Sequence, residues 1–398
     1  MNIIFLGGIF SDSDKAKVLS NSKGGVQFAA DTLQKNYIDG FAKNKAVSEI
    51  SLINLPFIGA YPTRYKNIFF HPLNKKEHIG RAIIKNASFL NLLIIKNLHR
   101  LFLAAKITLS ELKKSETKKT ILICYSMHLP FLLACLFVKI KNKNLHLCII
   151  VPDLPEYMAA RKGFAKFVFH LISRISYMVI SNANSIVVIT EHMSKKLSDK
   201  PRKIVIEGIA DPQYLFSSET TSRKEYFLYS GTLDRRYGIR NLVNSHIASG
   251  IKNYQLYICG DGDDRAYVEQ AIAEGANIKY LGQLDRKVVL KLQQNATLLI
   301  NPRANDSEYT KYSFPSKIIE YMSSGVPVLM YRLDGVPKEY YEHCYTVPSG
   351  PEGLKNKLIE LSRLSEKELL QVGLSAKEFI KKNKLPEQQV GKLLDYIS

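Results

Sequence analysis

The stretch YSFPSKIIEYMSSGVPVL, residues 312–329, reads as a polar loop, a short helix and an apolar strand. Gly325 and Pro327 are the residues expected where a helix ends. The Val-Leu that follows is typical of a strand buried on both faces of a sheet. A helix that leads directly into such a strand is the repeating unit of a parallel sheet covered by helices. This stretch therefore predicts an α/β fold.

The same alternation of helix and strand recurs along the whole chain. Apolar runs rich in β-branched residues, each followed by a turn-forming residue, predict strands at 2–8, 48–56, 120–126, 145–153, 185–190, 226–232, 254–262, 278–284, 296–303, 326–332 and 344–350. In parallel sheets of this kind ligands bind at the carboxyl ends of the strands. We predict two Rossmann-like, doubly wound parallel-sheet domains that face each other across a cleft.

The length of the chain also favours two domains, because 398 residues exceed one ordinary core. The run SSETTSRKE (217–225) has no aliphatic residue and is the best candidate for a linker. We predict a first domain at 1–215, a second at 216–375, and a last helix within 376–398 that returns to the first domain.

Charge is unevenly distributed. Residues 1–210 contain 31 Lys and Arg against 13 Asp and Glu, so they carry +18 of the total net charge of +20. A one-sided basic domain usually binds a polyanion such as nucleic acid, anionic lipid or a phosphorylated substrate. A generally Lys-rich composition is the alternative, and it explains the total better than the asymmetry.

Two basic and apolar stretches in this half, 79–106 and 162–181, are predicted to be helices. In the second, Lys162, Lys166, His170 and Arg174 recur every four residues among Phe, Val, Leu and Ile. Core packing with one solvated edge would explain either helix alone. Together with the charge asymmetry they favour contact with an anionic membrane surface.

Several classes of protein are disfavoured. The start, MNIIFLGGIF, resembles a core strand rather than a signal peptide, and no apolar run is long enough to span a membrane. The five cysteines form no C-x-x-C pair, which argues against structural zinc and a disulfide framework. Nucleic-acid binding rests on charge alone, with no motif that interleaves aromatic and basic residues. We expect a cytoplasmic protein without a metal or other cofactor.

Polar and basic residues follow the strands of the second half. Gly231 ends one strand, and Arg235 and Arg236 come just after it, where several charge-assisted donors suit a diphosphate. Surface solvation is the alternative for at least one of these arginines. Gly260 and Gly262 follow the next strand, either because backbone approaches a ligand there or because the chain turns sharply.

Candidate residues also lie at the strand ends of the first half. Gly24 and Gly25 open a helix whose free N–H groups would suit phosphate, although glycine pairs mostly serve turns. His128 follows the strand at 120–126 and is placed to hydrogen-bond a hydroxyl or exchange a proton, with a structural histidine as the alternative. Asp153, fixed between two prolines, either holds substrate hydroxyls or caps the next helix.

The opening stretch adds a basic and an acidic residue at one helix start. With Pro315 in the first turn, the N–H groups of Ser316, Lys317 and Ile318 are predicted to be free for phosphate oxygens. Glu320, one turn further, would accept hydrogen bonds from ribose hydroxyls. The combination suits a ligand that has both phosphates and sugar hydroxyls.

These motifs, in this order, resemble a family. The segments PDLPEYM (152–158), VIEGIAD (205–211), YSGTLDRRYGI (229–239), YICGDGD (257–263), YLGQLDR (280–286) and above all FPSKIIEYMSSGVPV (314–328) are similar to GT-B glycosyltransferases of the family 4 type. The likeness is greatest to the branch that builds bacterial capsular or exopolysaccharides.

The resemblance implies a retaining, metal-independent transferase whose second domain binds a nucleotide-sugar and whose first domain binds the acceptor. It implies that Glu320 holds the donor ribose, that His128 lies near the transferred sugar, and that Gly25 lies near the donor phosphates. It also implies that Lys317 takes part in diphosphate binding.

The sequence departs from the family pattern at two places. The first glutamate of the E-x7-E motif is replaced by Tyr312, with Glu308 and Asn305 as loose substitutes. The family's phosphate-binding Arg and Lys fall near Thr232 and Tyr237, so Arg235 and Arg236 would have to supply that charge.

We therefore expect a transferase, peripheral at the inner face of the plasma membrane, that moves a sugar from a UDP- or GDP-sugar to a lipid-linked saccharide. His128, Arg235, Arg236 and Lys317 are the candidate catalytic residues. The candidate binding residues are Gly24, Gly25, Asp153, Gly231, Gly260, Gly262, Ser316, Ile318 and Glu320. The alternative is a non-catalytic partner subunit with the same fold.

Overall fold

The computed structural model describes residues 1–115, 119–158, 163–215 and 225–397. The chain divides into two compact units, which we call unit 1 (Met1–Ile209 with Pro386–Ser398) and unit 2 (Ala210–Leu385). The linker expected at 217–225 lies outside the described residues, apart from its last residue. The boundaries expected from the sequence, at 215/216 and 375/376, differ from those of the two units, which lie at 209/210 and 385/386.

Unit 1 is built on an eight-stranded sheet in the order β10-β9-β8-β7-β1-β2-β5-β4. All of its strands are parallel except β4, which runs antiparallel to β5. Two short strands, β3 and β6, form a separate antiparallel pair. The strands are β1 (Asn2–Gly7), β2 (Glu49–Asn54), β3 (Phe69–Phe70), β4 (Lys76–Ile79), β5 (Ala82–Asn86), β6 (Phe89–Leu90), β7 (Thr120–Tyr125), β8 (His146–Val151), β9 (Ser185–Val188) and β10 (Arg202–Val205).

Helices cover this sheet, because its central strands are apolar on both sides: every residue of β1 and β9 is buried. They are α1 (Lys15–Asn21), α2 (Phe28–Lys43), α3 (Leu93–Lys114), α4 (Leu129–Lys141), α5 (Pro155–Met158), α6 (Gly163–Ile180) and α7 (Glu191–Lys196). The helix predicted over 79–106 is wrong in its first part. Residues 82–86 alternate between buried and less buried positions, the pattern of a strand, and pair with β2. The helix begins only at Leu93.

Unit 2 is a six-stranded parallel sheet in the order β13-β12-β11-β14-β15-β16. Its strands are β11 (Tyr226–Ser230), β12 (Gln255–Cys259), β13 (Ile278–Tyr280), β14 (Leu298–Asn301), β15 (Val328–Met330) and β16 (Tyr345–Thr346). Its helices are α8 (Pro212–Leu215), α9 (Ile239–Ser249), α10 (Arg265–Ala273), α11 (Arg286–Asn295), α12 (Lys317–Ser323), α13 (Gly353–Leu361) and α14 (Glu366–Asn383). Short 3-10 turns occupy Arg235–Tyr237, Glu308–Tyr312 and Lys338–His343. Numbered within the unit, the strand order is 3-2-1-4-5-6, the doubly wound order of dinucleotide-binding folds.

The last helix, α15 (Pro386–Ile397), belongs to unit 1 and packs on α2. Its Val390, Leu393, Leu394 and Ile397 are buried in the unit 1 core. Gly40 of α2 makes the close approach possible, since a Cβ there would lie 2.5 Å from the Pro386 carbonyl oxygen. Unit 1 is thus assembled from both ends of the chain.

The predicted fold class is confirmed by this architecture. Each of the strand runs named from the sequence contains a strand of the structure. The strands that the sequence reading missed, β3 to β6 and β10, are short or lie at or near the edges of sheets.

Candidate functional site

The first candidate site lies at the carboxyl edge of the unit 2 sheet. There β11 and β14 are neighbours. From β11 the chain continues to β12 on one side, and from β14 it continues to β15 on the other. Such a reversal of strand order opens a crevice beyond the strand ends, where open α/β sheets bind ligands. The loops that follow β11, at Gly231, and β14, at Pro302, therefore border the crevice.

Glu320 is the most closely held of the predicted residues at this edge. Its Oε1 accepts hydrogen bonds from Lys317 Nζ at 2.8 Å and Gln293 Nε2 at 2.7 Å. Its Oε2 lies 3.5 Å from Arg286 Nη2, and only 13% of the side chain is exposed. Burial raises the pKa of Glu320, but the charge and hydrogen bond of Lys317 and the bond from Gln293 outweigh it, so the pKa lies below its ordinary value. Glu320 is thus an anion at neutral pH, held as a hydrogen-bond acceptor.

The start of α12 differs from the prediction. The helix begins at Lys317, with Ser316 as its N-cap, so Pro315 precedes the first turn. The Ile318 N–H donates to the Pro315 carbonyl oxygen at 2.9 Å and is not free for a phosphate. What this segment offers is the partly exposed ammonium of Lys317, next to the Glu320 carboxylate.

Arg235 and Arg236 lie on the 3-10 turn after β11 and are both exposed. Arg236 is already paired: its Nη2 lies 2.5 Å from Asp234 Oδ2, and its Nε donates to the same carboxylate. The hydrogen bond from Arg236 lowers the pKa of Asp234 below its usual range. The charge of Arg236 is therefore already balanced by Asp234, whereas Arg235 has no ion pair among the described residues.

Sequence reasoning missed Arg303, which follows β14 at the same edge. Arg303 is 3% exposed, stacks over Tyr309 at 4.3 Å and donates to Ser313 Oγ at 3.3 Å. Its Nε and Nη2 are buried without a hydrogen-bond partner among the described residues. The signal in the sequence was an arginine directly after the strand-ending Asn-Pro. A buried guanidinium with unused donors at a strand end is a stronger anion-binding candidate than the paired Arg236.

The glycines of unit 2 let its loops approach one another. A Cβ on Gly260 would lie 1.8 Å from the Gly231 carbonyl oxygen, and one on Gly262 would lie 2.4 Å from that of Leu233. Gly260 and Gly262 also have φ of 136° and 156°, in the region that favours glycine. Their position is therefore explained by backbone packing between the loops after β11 and β12.

The residues named as substitutes for the missing glutamate have local roles. Asn305 Oδ1 accepts from Thr310 Oγ1 at 2.7 Å and so braces its own loop. Glu308 is exposed at the start of a 3-10 turn that ends with Tyr312. Neither geometry places an acid where the family pattern expects one.

The second candidate site lies at the carboxyl edge of the unit 1 sheet, where β1 and β7 are neighbours at another reversal of strand order. His128 is the N-cap of α4 and contacts the ring edges of Phe131 and Phe57. Its Nδ1 is buried without a partner among the described residues. Burial, and then the positive charges of Arg100 and Lys96, hold the pKa of His128 well below its usual range. His128 is a neutral imidazole, suited to hydrogen bonding rather than to ion pairing.

The other predicted residues of unit 1 are less constrained. Gly24, with φ of 110°, and Gly25 are exposed, and a Cβ on either would meet open space. Asp153 is exposed after β8, and α5 begins two residues later, at Pro155. Glu156, three residues on, is an ion-pair partner of Lys196 at 2.9 Å and accepts from Tyr177. Gly25 and His128 line one cavity, which also contains two residues that the sequence reading missed, Lys96 and Arg100.

Two kinds of site are absent from the described part of the chain. Within it, no group of three or more His, Cys, Asp or Glu side chains could hold a metal ion. None of its helices combines the length and apolarity that crossing a membrane requires.

Comparison with known proteins finds a family model that matches part of unit 2 and less than half of the chain. Residues 224–363 match the model of a family described as glycosyl transferases group 1. No curated protein matches the sequence of the chain. The matched range contains every strand of unit 2 together with Arg303, Lys317 and Glu320.

Solved structures resemble the chain over its whole length. A sucrose-phosphate synthase from Thermosynechococcus elongatus is 16% identical, with a TM-score of 0.63 over 99% of this chain and 98% of its own. A UDP-forming α,α-trehalose-phosphate synthase from Burkholderia xenovorans, in complex with glucose-6-phosphate, is 9% identical, with a TM-score of 0.66 over 100% of both chains. A trehalose-6-phosphate protein of E. coli bound with UDP-2-fluoro glucose is 12% identical, with a TM-score of 0.64 over 100% of this chain and 99% of its own. The chain has the fold of GT-B glycosyltransferases, and the family match supports sugar transfer.

Proposed function

We propose that this chain is a retaining, metal-independent glycosyltransferase that acts at a membrane surface. It moves a sugar from a UDP- or GDP-sugar to a lipid-linked saccharide in the synthesis of a bacterial surface polysaccharide. Unit 2 binds the donor and unit 1 binds the acceptor. The observation that carries the proposal is the anionic Glu320 set between two cations, Lys317 and Arg286, at the switch point of the unit 2 sheet, within the segment matched by the glycosyltransferase model.

Glu320 is suited to the ribose of a nucleotide. A carboxylate accepts hydrogen bonds only, and two adjacent ribose hydroxyls supply two donors. Gln293 and Lys317 hold Oε1 from one side, which fixes the direction in which Oε2 points. A ligand hydroxyl would then replace the long 3.5 Å contact between Oε2 and Arg286.

The cations of the same edge suit the diphosphate. When the sugar leaves, the bond between its anomeric carbon and the phosphate oxygen breaks, and negative charge grows on the nucleoside diphosphate. Lys317, Arg303 and Arg235 are the described cations best placed by exposure or unused donors to balance it. The acceptor oxygen forms the new bond to the anomeric carbon, and its proton passes to the departing phosphate oxygen.

His128 has a positioning role in this proposal. Because its imidazole is neutral, it has one donor and one acceptor nitrogen for sugar hydroxyls, and it does not compete with unit 2 cations for the phosphate. Its ring is fixed between Phe57 and Phe131, so the hydrogen bonds it makes have a defined direction.

Three helices of unit 1 carry the features expected of a membrane-binding face. Neighbouring helices α3, α4 and α6 expose the large apolar side chains Leu98, Phe102, Phe137, Ile140, Phe167, Leu171 and Met178. Lysines stand beside two of these rings, Lys106 over Phe102 and Lys141 over Phe137. Apolar side chains interleaved with lysines suit the headgroup region of an anionic bilayer. Lys166, His170 and Arg174 of the predicted basic stripe are exposed on α6, and Lys162 lies outside the described residues.

The proposal is tested by donor turnover. Purified protein is incubated with a panel of UDP- and GDP-sugars, with and without lipid-linked saccharides, and release of nucleoside diphosphate is measured. We expect one donor to be turned over. We expect Glu320→Ala to weaken the affinity for that donor at least tenfold, because a charged hydrogen bond contributes about 1.5–3 kcal/mol, and Arg303→Met to lower kcat.

Glu342→Ala is the matched control, since Glu342 is an exposed acid of unit 2 outside this edge. Turnover that is equal in Glu320→Ala, Glu342→Ala and the unmodified chain would contradict the assignment of the donor site. Absence of turnover with every donor and acceptor would contradict the proposed reaction.

A non-catalytic partner subunit is the second candidate, favoured by one observation. Tyr312 occupies the place of the family's first glutamate, and neither Glu308 nor Asn305 replaces it. Tight binding of a nucleotide-sugar without turnover, followed by turnover only after a second protein is added, would select this candidate.

A further inference from the structure

Unit 1 contains a cavity of about 260 Å³ at the carboxyl edge of its sheet. Its walls come from the loops after β1, β2 and β7 and from the first turns of α3. A water molecule occupies about 30 Å³ in the liquid, so the cavity has room for a small organic group. Its residues include His128 and the exposed Gly25.

The walls of this cavity carry positive charge without a negative counterpart. Lys23, Arg64, Lys96 and Arg100 all line it, and no acidic residue is among the described residues that do. Lys23 and Arg64 are exposed at the surface, whereas Lys96 is 7% and Arg100 2% exposed. Two cations are thus buried side by side at its wall.

Among the described residues, the side-chain hydrogen bonds of both buried cations go to carbonyl oxygens. Arg100 Nη2 donates to Leu55 O at 2.5 Å, and its guanidinium contacts the ring of Phe131 at 4.8 Å. Lys96 Nζ donates to Ile58 O at 2.5 Å, its only hydrogen bond among the described residues. Arg100 Nε is also buried, and it has no hydrogen-bond partner among the described residues. Burying a charge without an opposite charge is costly, and a purely structural anchor for the 55–58 segment would need no charge.

The start of a long helix adds to the positive electrostatic potential of the cavity. α3 has 22 residues and begins at Leu93, which lines the cavity, and it has no acidic residue in its first turn. A helix start carries partial positive charge and favours anions. Burial and the neighbouring Arg100 lower the pKa of Lys96 to about 7, so an anion in the cavity would restore its full charge.

We propose that this cavity binds a negatively charged group, phosphate or carboxylate, of the sugar acceptor. Lys96 is the central ligand, Arg64 and Lys23 close the mouth, and His128 hydrogen-bonds an adjacent hydroxyl. This inference rests on the proposed function, because it names the chemical class of the acceptor that unit 1 takes. Three compounds share this chemistry: a sugar phosphate, a uronic acid, and the diphosphate of a lipid-linked saccharide.

Binding to the full-length chain is measured by calorimetry with glucose, glucose 6-phosphate, glucuronate, inorganic phosphate and farnesyl diphosphate. We expect at least one anionic probe to bind ten times more tightly than glucose, and the tightest probe identifies the source of the negative group. We expect Lys96→Met to weaken that binding at least tenfold. Lys113→Met is the matched control, because Lys113 is exposed near the other end of the same helix.

Two results would overturn the inference: glucose binding as tightly as every anion, or equal anion binding by Lys96→Met and Lys113→Met. Folding of unit 1 is checked separately by hydrogen exchange in peptides from α2 and β1, whose slow exchange Lys96→Met is expected to retain. Loss of anion binding in Lys96→Met, together with no sugar transfer to any acceptor, would leave the cavity assigned and the proposed function rejected. Turnover of a donor without any anion preference would reject the cavity and keep the function.

Discussion

Lys96 is the residue whose chemistry is least expected of a folded core. It lies on α3 with its ammonium among the backbone of residues 55–58, beside another buried cation and without a carboxylate partner in the described cavity wall. Natural chains keep such residues where function requires them, at a cost in stability. That cost has a defined pH dependence.

We predict that Lys96→Met stabilises the free protein. The pKa of Lys96 is about 7 when folded, against 10.5 for an ordinary lysine. Between these two pH values the unfolded chain binds more protons than the folded chain, so the free energy of unfolding rises with pH. The destabilisation caused by Lys96 is therefore largest at and below pH 7. The variant lacks this dependence, although it loses one hydrogen bond. We expect a gain of about 1–3 kcal/mol in the free energy of unfolding at pH 7.

The measurement is denaturant unfolding of both proteins at pH 7 and at pH 10. The difference between them should shrink as the pH rises, because folding of the unmodified chain removes the proton of the Lys96 ammonium in this range, and removing it costs less free energy at higher pH. A difference that is constant with pH would show that Lys96 is not destabilised by its charge. Stability lost in the variant at both values would show that its hydrogen bond to Ile58 matters more.

Gly260 makes the second prediction at this scale. We expect Gly260→Ala to destabilise unit 2 by about 3 kcal/mol or more, because the new Cβ would lie 1.8 Å from Gly231 O and backbone would have to move. Gly250→Ala is the control, since Gly250 also has positive φ, 63°, but faces open space. Its cost should be about 1 kcal/mol. Equal losses of thermal stability in the two variants would contradict a role for loop packing.

The helices α3, α4 and α6 are the elements that the proposed membrane contact depends on. We predict that the full chain sediments with vesicles containing anionic phosphatidylglycerol and does so less with pure phosphatidylcholine. The double variant Phe167→Ser, Leu171→Ser should weaken this binding at least tenfold, because each exposed large side chain contributes about 1.5–3 kcal/mol on burial.

The control for this experiment is Ile247→Ser with Leu374→Ser, which removes two exposed apolar side chains from unit 2. It should bind vesicles as the unmodified chain does. Equal loss of vesicle binding in both double variants would indicate nonspecific hydrophobic adsorption. No loss of vesicle binding in either would contradict a membrane-binding face on unit 1.

At the level of elements, the sequence predicted the central strands well because their signal is local. Residues 120–125 are apolar at nearly every position, and they are buried on both faces. The strand β5, next to the edge strand β4, was missed because its alternation lies within a basic, apolar stretch that also fits a helix. Periodicity alone does not separate these two patterns in a run of five residues.

The candidate site was predicted less completely, since side-chain partners depend on residues far apart in the chain. Lys317 and Glu320 are three residues apart on one helix, so their proximity follows from helical geometry. Gln293 reaches Glu320 only through the packing of α11 near α12, and Arg100 reaches the 55–56 carbonyls across 45 positions of sequence. Nothing local marks these contacts.

The whole molecule joins a basic unit 1 to a nearly neutral unit 2. Since residues 1–210 hold +18 of the net +20, attraction to anionic lipid belongs to unit 1. The division of labour proposed above follows the same line, with an anionic acceptor at unit 1 and the nucleotide-sugar at unit 2. The order of residues along the chain does not follow this division, because unit 2 lies between the two segments that form unit 1.

The last helix therefore controls the stability of the unit that contains the first residues. Leu393 of α15 is fully buried in a core shared with Tyr37 and Phe41 of α2. We predict that Leu393→Ala costs unit 1 about 2–5 kcal/mol, the range for a large-to-small change in a closed core. Leu374→Ala, at a position of α14 that is 49% exposed, should cost less than about 0.5 kcal/mol.

Hydrogen exchange locates the effect of Leu393→Ala within the molecule. Exchange should rise in peptides from α2 and β1, which enclose the same core, while peptides from β11 and β14 of unit 2 keep their rates. This distribution is expected because the two cores share no residue in the described chain. A rise that is equal in both units would mean that they unfold as one cooperative block, and loss of the C-terminal helix would then disable donor binding as well as the acceptor side.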